Sequence, residues 1–151
     1  MTVTFVDVGQ GDCAIIQQGN ETMMIDTGKY SEYNNVQKAL QDYHIDEINE
    51  LVLTHPDADH IGCAEDLIND YKVDDVDMTS CENDSKTYER LIKTILDNHT
   101  NTHIVSIGDN IKCGQAIGKV LAPDTIVQDD NNSNSIIMQK CEIGAGVILE
   151  N

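Results

Sequence analysis

Tryptophan is absent and phenylalanine occurs once, at Phe5, so the chain has no aromatic platform on which unpaired bases could stack. Basic residues are scarce too: 9 Lys and Arg stand against 27 Asp and Glu, a formal net charge of −18. A surface this acidic does not grip nucleic acid by itself, because that contact needs clustered Lys and Arg to displace counterions. No apolar run is longer than the four residues 13–16, too short to span a bilayer. The N-terminus lacks a basic segment and meets Asp7 too early for a signal peptide, so the default location is the cytoplasm. The five cysteines (13, 63, 81, 113 and 141) form an odd set without a C-x-x-C pair. That argues against a disulfide framework or a zinc ribbon and for buried, reduced thiols. Gly9-Gln-Gly11 lacks the lysine of a P-loop, and no Ser stands in a G-x-S-x-G context.

What is present suits one domain: 151 residues, 40% of them apolar. Residues 2–8 alternate and are β-branched, as a strand requires. A turn at Gly9-Gln-Gly11-Asp12 leads to a second strand near 13–17, and Gly19-Asn20 signals a hairpin into a third at 22–25. Val36, Leu40 and Tyr43 share one face of a helix over 31–43, with Ser31 as its N-cap. The short apolar run 50–54 reads as a buried strand. A helix over 60–71 turns Ile61, Ala64, Leu67, Ile68 and Tyr71 inward, and 73–78 is a weaker strand. Tyr88, Leu91, Ile92, Ile95 and Leu96 repeat at three and four, marking a helix over 85–99. Short strands follow at 102–107, 115–121, 135–141 and 146–149, with a polar loop at 128–134. Strands first, then alternating helices and strands, give an α/β layered domain.

The informative segment is Thr54-His55-Pro56-Asp57-Ala58-Asp59-His60-Ile61-Gly62. Four metal-ligand types fall within six residues, directly after an apolar strand. Pro56 biases the chain out of helix, so this is a turn at a strand end, where functional side chains are commonly presented. Two imidazoles and two carboxylates so close together favour a cation among them over a merely solvated acidic turn.

His55-x-Asp57-x-Asp59-His60 resembles the H-x-H-x-D-H signature of the metallo-β-lactamase fold, with Asp at the second position. Phe5-Val-Asp-Val-Gly-Gln-Gly-Asp12, Met24-Ile-Asp26-Thr-Gly28, the H-P-D-A-D-H-I-G stretch and Asn134-Ser-Ile-Ile137 are similar to the soluble domain of ComEC-type DNA-uptake proteins and their stand-alone relatives. The resemblance implies a layered αβ/βα sandwich. It implies that His55 and Asp57 serve one metal while Asp59 and His60, also the catalytic candidates, serve a second. A water between two such ions would become the nucleophile near neutral pH. Asp26 would fix the ligand loop, with Gly28 leaving room beside it, or else cap a turn. Asp7 and Asp12 support the edge of the site or only stabilise their own turn. Asp57 in place of His adds a hard oxygen ligand, which moves preference toward Mn²⁺ or Mg²⁺ without excluding Zn²⁺. Cys63 replaces the relatives' second Gly and reads as a small buried residue at a helix start. Asn134 stands where the fold usually has a third-motif His, as a weak ligand, a substrate donor or simply a strand start. His44, His99 and His103 have no ligand-like spacing.

The later elements of this signature, T-G-D-like and H-H-G-S-like, occur nowhere in the sequence. The resemblance therefore describes residues 1–151 as the N-terminal portion of one metallo-β-lactamase-like domain, truncated after its first half. An unpaired sheet edge and an exposed apolar face are expected, to be covered by a second half or by self-association. The expected function is a metal-dependent hydrolase, phosphodiesterase- or nuclease-like, meeting nucleic acid only through its metals; the chain by itself should turn over little. One alternative is a non-catalytic acidic interaction or regulatory module. Another is a hydrolase of small esters, thioesters or lactams.

Overall fold

The structure is a computed structural model that describes residues 1–123, 135–142 and 148–149. A seven-stranded mixed sheet forms its centre, in the order β10-β1-β2-β3-β4-β5-β6. β1 (Thr2–Phe5), β2 (Ala14–Gln18) and β3 (Glu21–Ile25) make an antiparallel meander. β4 (Glu47–Leu53), β5 (Lys72–Met78) and β6 (Asn101–Ile104) then add in parallel beside β3. A 3-10 turn at Tyr30–Glu32 leads into α1 (Tyr33–Asp42). α2 (Ala58–Ile61) and α3 (Ala64–Asp70) connect β4 to β5, and α4 (Lys86–Asn98) connects β5 to β6. A second sheet holds β7 (Asn110–Cys113), β8 (Ala116–Ala122) and β9 (Ile137–Glu142). β10 (Ile148–Leu149) returns to the large sheet, parallel to β1.

Strand parity explains the two cores. On β4, Leu51 and Leu53 face the helices and pack with Met24, Val36, Leu40, Leu67, Val76 and Leu91. Val52 points the other way, toward Met23, Ile111, Cys113 and Val120 of the second core. A strand with parallel neighbours on both sides and a layer on each face is apolar toward both, which is why Leu51, Val52 and Leu53 make 50–54 conspicuous.

The departures from the sequence reading are local. β1 ends at Phe5, three residues early, because the chain turns into the Gly9–Gly11 loop. Ser31 is not an N-cap: it lies in the 3-10 turn, its hydroxyl bonds the carboxylate of Glu32, and α1 begins at Tyr33. Tyr43 lies beyond the helix and is exposed. The helix expected over 60–71 is broken at Gly62 and Cys63 into α2 and α3. β7 was not foreseen at all. The outer edge of β1 carries β10, with Thr2 opposite Ile148. The second sheet covers the face of the first at Met23 and Val52. The loop 128–134, with Asn134, lies outside the described residues.

One polar pair sits between the sheets. Glu50 and Asp77 share the parity of Val52, and Asp77 is 5% exposed. Burial first, then the charges of Asp77 and Asp75, push the Glu50 carboxyl up to about 8; in its protonated form it donates a hydrogen bond to Asp77. Burial raises Asp77 as well, against the opposing pull of that bond and of His103. A carboxyl whose folded pKa exceeds its unfolded value binds more protons when folded, so its stabilisation is full below the unfolded pKa and fades as pH rises. Urea midpoints are therefore expected to fall as pH climbs from about 4 toward 8. Glu50→Gln should flatten that part of the profile.

Candidate metal centre

β3 and β4 are parallel neighbours, with Ile25 opposite Val52, so the residues that follow each strand emerge side by side at the carboxyl end of the sheet. Asp26 follows β3, and Thr54 and His55 follow β4. The Asp26 amide donates to the carbonyl of Val52 at 2.8 Å, tying the two strand ends together. Asp26 has a φ of 56°, a left-handed conformation that Asp tolerates better than most residues. Its carboxylate is 2% exposed and fully engaged. Oδ1 accepts from the Thr54 amide at 2.8 Å, while Oδ2 accepts from the Thr54 hydroxyl at 2.6 Å and from His60 Nδ1 at 2.8 Å.

The rest of the D-T-G segment clamps the last turn of α2. Thr27 donates to the His60 carbonyl from its amide at 2.7 Å and from its hydroxyl at 2.9 Å. Gly62 lies against this segment so closely that a Cβ there would stand 2.5 Å from Ala58 O and from Tyr30 N, and 2.6 Å from Gly28 O. This crowding explains the break between α2 and α3. Cys63 is fully buried, with its thiol 3.0 Å from the Lys29 carbonyl. It fills space at the start of α3, and burial pushes the thiol up to about 12.

The structure brings His55 and His60 together, with ring centroids 3.8 Å apart and planes tilted by 48°. Asp57 takes the N-cap position of α2, where its carbonyl accepts from the amides of His60 and Ile61. Its Oδ2 lies 3.8 Å from His55 Nε2. Asp59, partly buried in the first turn of α2, acts on His60 through its charge. Burial, with the His60 charge adding to it, lowers His55 despite Asp26, Asp57 and Asp59. Burial would lower His60 too, but the hydrogen bond and charge of Asp26, followed by Asp59 and Asp12, outweigh it and leave the ring raised.

The V-G-Q-G-D turn closes the site from above. Asp12 O accepts from the Gly28 amide at 2.9 Å, and Asp12 Oδ2 lies 3.8 Å from His60 Nδ1. Asp7 accepts from the amide of Gly9, within its own turn. Asp12, Asp26 and His60 can place one ligand atom each within 4.8 Å of one another, the one such cluster among the described residues. The donors here, carboxylate oxygens beside imidazoles whose Nδ1 atoms are occupied by Asp26 and Thr54, fit a divalent cation. Beside them opens a cleft of about 450 Å³. Phe5, Val6, Ala14, Ile25 and Ile136 give it an apolar wall beside Asp12, Asp26, Thr54, His55 and His60, and among the described residues no Lys or Arg lines it. Two participants were missed in the sequence: Thr54, which looks like an ordinary strand-end β-branched residue, and Gly11, whose role is a close approach.

Residues 6–76 match the metallo-beta-lactamase superfamily model, and solved structures agree over most of the chain. The chain has the metallo-β-lactamase fold. It is similar to MEM-A1, a subclass B3 metallo-β-lactamase from a soil metagenome library, with a TM-score of 0.67 and 13% identity, over 96% of this chain and 56% of that one. The match to ETHE1 from Myxococcus xanthus has a TM-score of 0.59 and 18% identity, covering 91% and 52%. A diphosphatase of the PhnP family matches at 0.54 with 16% identity, covering 85% and 48%. The chain thus spans about half the length of these metallo-β-lactamase-fold neighbours. No curated protein matches its sequence.

Gly11 has a φ of 118°, and a Cβ there would collide with the Asp59 carbonyl. Gly11→Ala should therefore destabilise the fold by about 1–3 kcal/mol, read as a lower denaturant midpoint at unchanged m-value.

Proposed function

We propose that the cleft at the ends of β3 and β4 belongs to a metal-dependent hydrolase. The observation that carries this reading is the buried Asp26 carboxylate, which spends its acceptor capacity on His60 Nδ1 and on Thr54. That arrangement turns the ligand turn toward the cleft, as carboxylate–histidine–metal sites require. His55 and Asp57 would hold one divalent cation, and Asp59 and His60 a second. Asp12 stands near enough to His60 to join the latter. Bound there, such ions would supply Lewis acidity and a water acidified toward neutral pH. Asp57, an oxygen donor among imidazoles, favours Mn²⁺ or Mg²⁺ over Zn²⁺.

Phosphodiesters are the leading substrate class, on the resemblance of V-G-Q-G-D and H-P-D-A-D-H-I-G to the ComEC-type group. The diphosphatase neighbour supports phosphoryl chemistry in the broader sense on this fold. With no Lys or Arg among the described residues lining the cleft and a net charge of −18, the bound cations would be what meets the phosphate. The second reading, a small ester, thioester or lactam, is favoured by the apolar wall of Phe5, Val6, Ala14, Ile25 and Ile136, and by the β-lactamase neighbour. A cytoplasmic location goes with either. No helix among the described residues is long and apolar enough to cross a membrane.

Calorimetry with Mn²⁺ tests the centre itself. Asp59→Ala should weaken binding roughly tenfold or more, and equal affinity in the two proteins would remove the 55–60 turn from the proposal. The chain by itself should turn over little, so slow rates on bis(p-nitrophenyl) phosphate and p-nitrophenyl acetate, compared with Mn²⁺ and again with a chelator, separate the two substrate classes. Hydrolysis that survives the chelator would rule out a metal-dependent reaction.

A further inference from the structure

Thr54 links the two histidines through a single proton count. Its hydroxyl lies 2.6 Å from Asp26 Oδ2 and 3.1 Å from His55 Nδ1. A hydroxyl has one proton to give, and a 2.6 Å separation is that of an O–H donating to a carboxylate. The proton therefore points to Asp26. The hydroxyl meets His55 with a lone pair, so His55 Nδ1 must be the N–H donor. The reverse assignment would set two bare acceptors, Thr54 Oγ1 and Asp26 Oδ2, against each other at 2.6 Å in a pocket where Asp26 is 2% exposed. His60 obeys the same constraint directly, since its Nδ1 also donates to Asp26 Oδ2 at 2.8 Å.

We propose that Thr54 is a positioning residue that relays the orientation set by Asp26 to His55, so that one buried carboxylate holds both imidazoles with N–H on Nδ1 and the lone pair on Nε2. His60 receives this orientation directly and His55 through the hydroxyl. His55 Nε2 faces Asp57 Oδ2 at 3.8 Å. Both rings present a ligand atom of the same kind before any ion arrives. The inference rests on the hydrolase reading only for what those Nε2 atoms bind. The relay itself is a property of the metal-free chain.

The test uses the full chain, labelled with ¹⁵N, as wild type, Thr54→Val and Thr54→Ser. Val keeps the shape and the backbone bond to Asp26 but removes the hydroxyl; Ser restores it. Metal-free histidine ¹⁵N spectra, recorded above the imidazole titration range, should show His55 with a protonated Nδ1 and an unprotonated Nε2 in wild type and Thr54→Ser. Thr54→Val should show a mixture of the two tautomers at His55, with His60 unchanged. Amide spectra confirm the fold of each variant. Mn²⁺ affinity should drop by roughly 10–100-fold in Thr54→Val and stay within a few fold in Thr54→Ser. An unchanged His55 pattern in Thr54→Val, or a Thr54→Ser as defective as Thr54→Val, overturns the relay. A wild-type chain that binds no Mn²⁺, yet keeps its hydroxyl-dependent tautomer, would end the hydrolase reading and leave the relay in place.

Discussion

The buried carboxylate of Asp26 is the point on which the site depends. An ionised carboxylate taken out of water without partners costs several kcal/mol. Here three donors surround it, each from a segment that must be in place: the amide and hydroxyl of Thr54 after β4, and the imidazole of His60 in α2. The compensation exists only when β3, β4 and α2 are assembled together. The cost of burying the charge is thereby turned into a constraint on geometry. Left-handed backbone at Asp26 completes the arrangement, since it turns the side chain back over the end of the neighbouring strand instead of along its own.

Around that point the large sheet divides two duties between its faces. Helices α1 to α4 bury one face in an extensive apolar core, which holds the carboxyl ends of β3, β4 and β5 in register. The other face is smaller and less uniform. It mixes Met23, Val52 and Val105 with the Glu50–Asp77 pair, so its grip on the second sheet is part hydrophobic and part dependent on a retained proton. The site is built on the rigid portion, where loops at the strand ends inherit the fixed spacing of parallel neighbours.

Much of this was legible in the residues themselves, and the exceptions have physical causes. The run 50–54 could only be a buried strand, and the density of ligand types between His55 and His60 marked the turn without further help. The α4 helix was plain from its stripe; Ser85, its N-cap, accepts from the Tyr88 amide. β7 was invisible because its sequence, Asn-Ile-Lys-Cys, offers just two inward residues, Ile111 and Cys113, and so little periodicity. Ser31 misled because a good capping residue says nothing of where tertiary packing lets a helix begin; Tyr30, beside it, is held against Gly62. Thr54 escaped notice because a threonine at a strand end is ordinary for its β-branching. Its significance depends on Asp26 and His55, which only the fold brings together.

The crowding at Gly62 has a consequence for how such a cleft can change. With Ala58, Tyr30 and Gly28 backbone atoms all within 2.6 Å of the place a side chain would begin, the seam between α2 and the D-T-G segment that carries His60 and Asp26 admits no added atoms. It cannot be reshaped without separating α2 from the D-T-G segment. The opposite wall is free of that restriction: Phe5 is 78% exposed, and Val6 and Ala14 flank a turn held chiefly at its glycines and Asp12. New substrate preferences could arise by substitution along this rim while the ligand turn stays untouched. The fold thus separates the part of the pocket that can vary from the part that cannot.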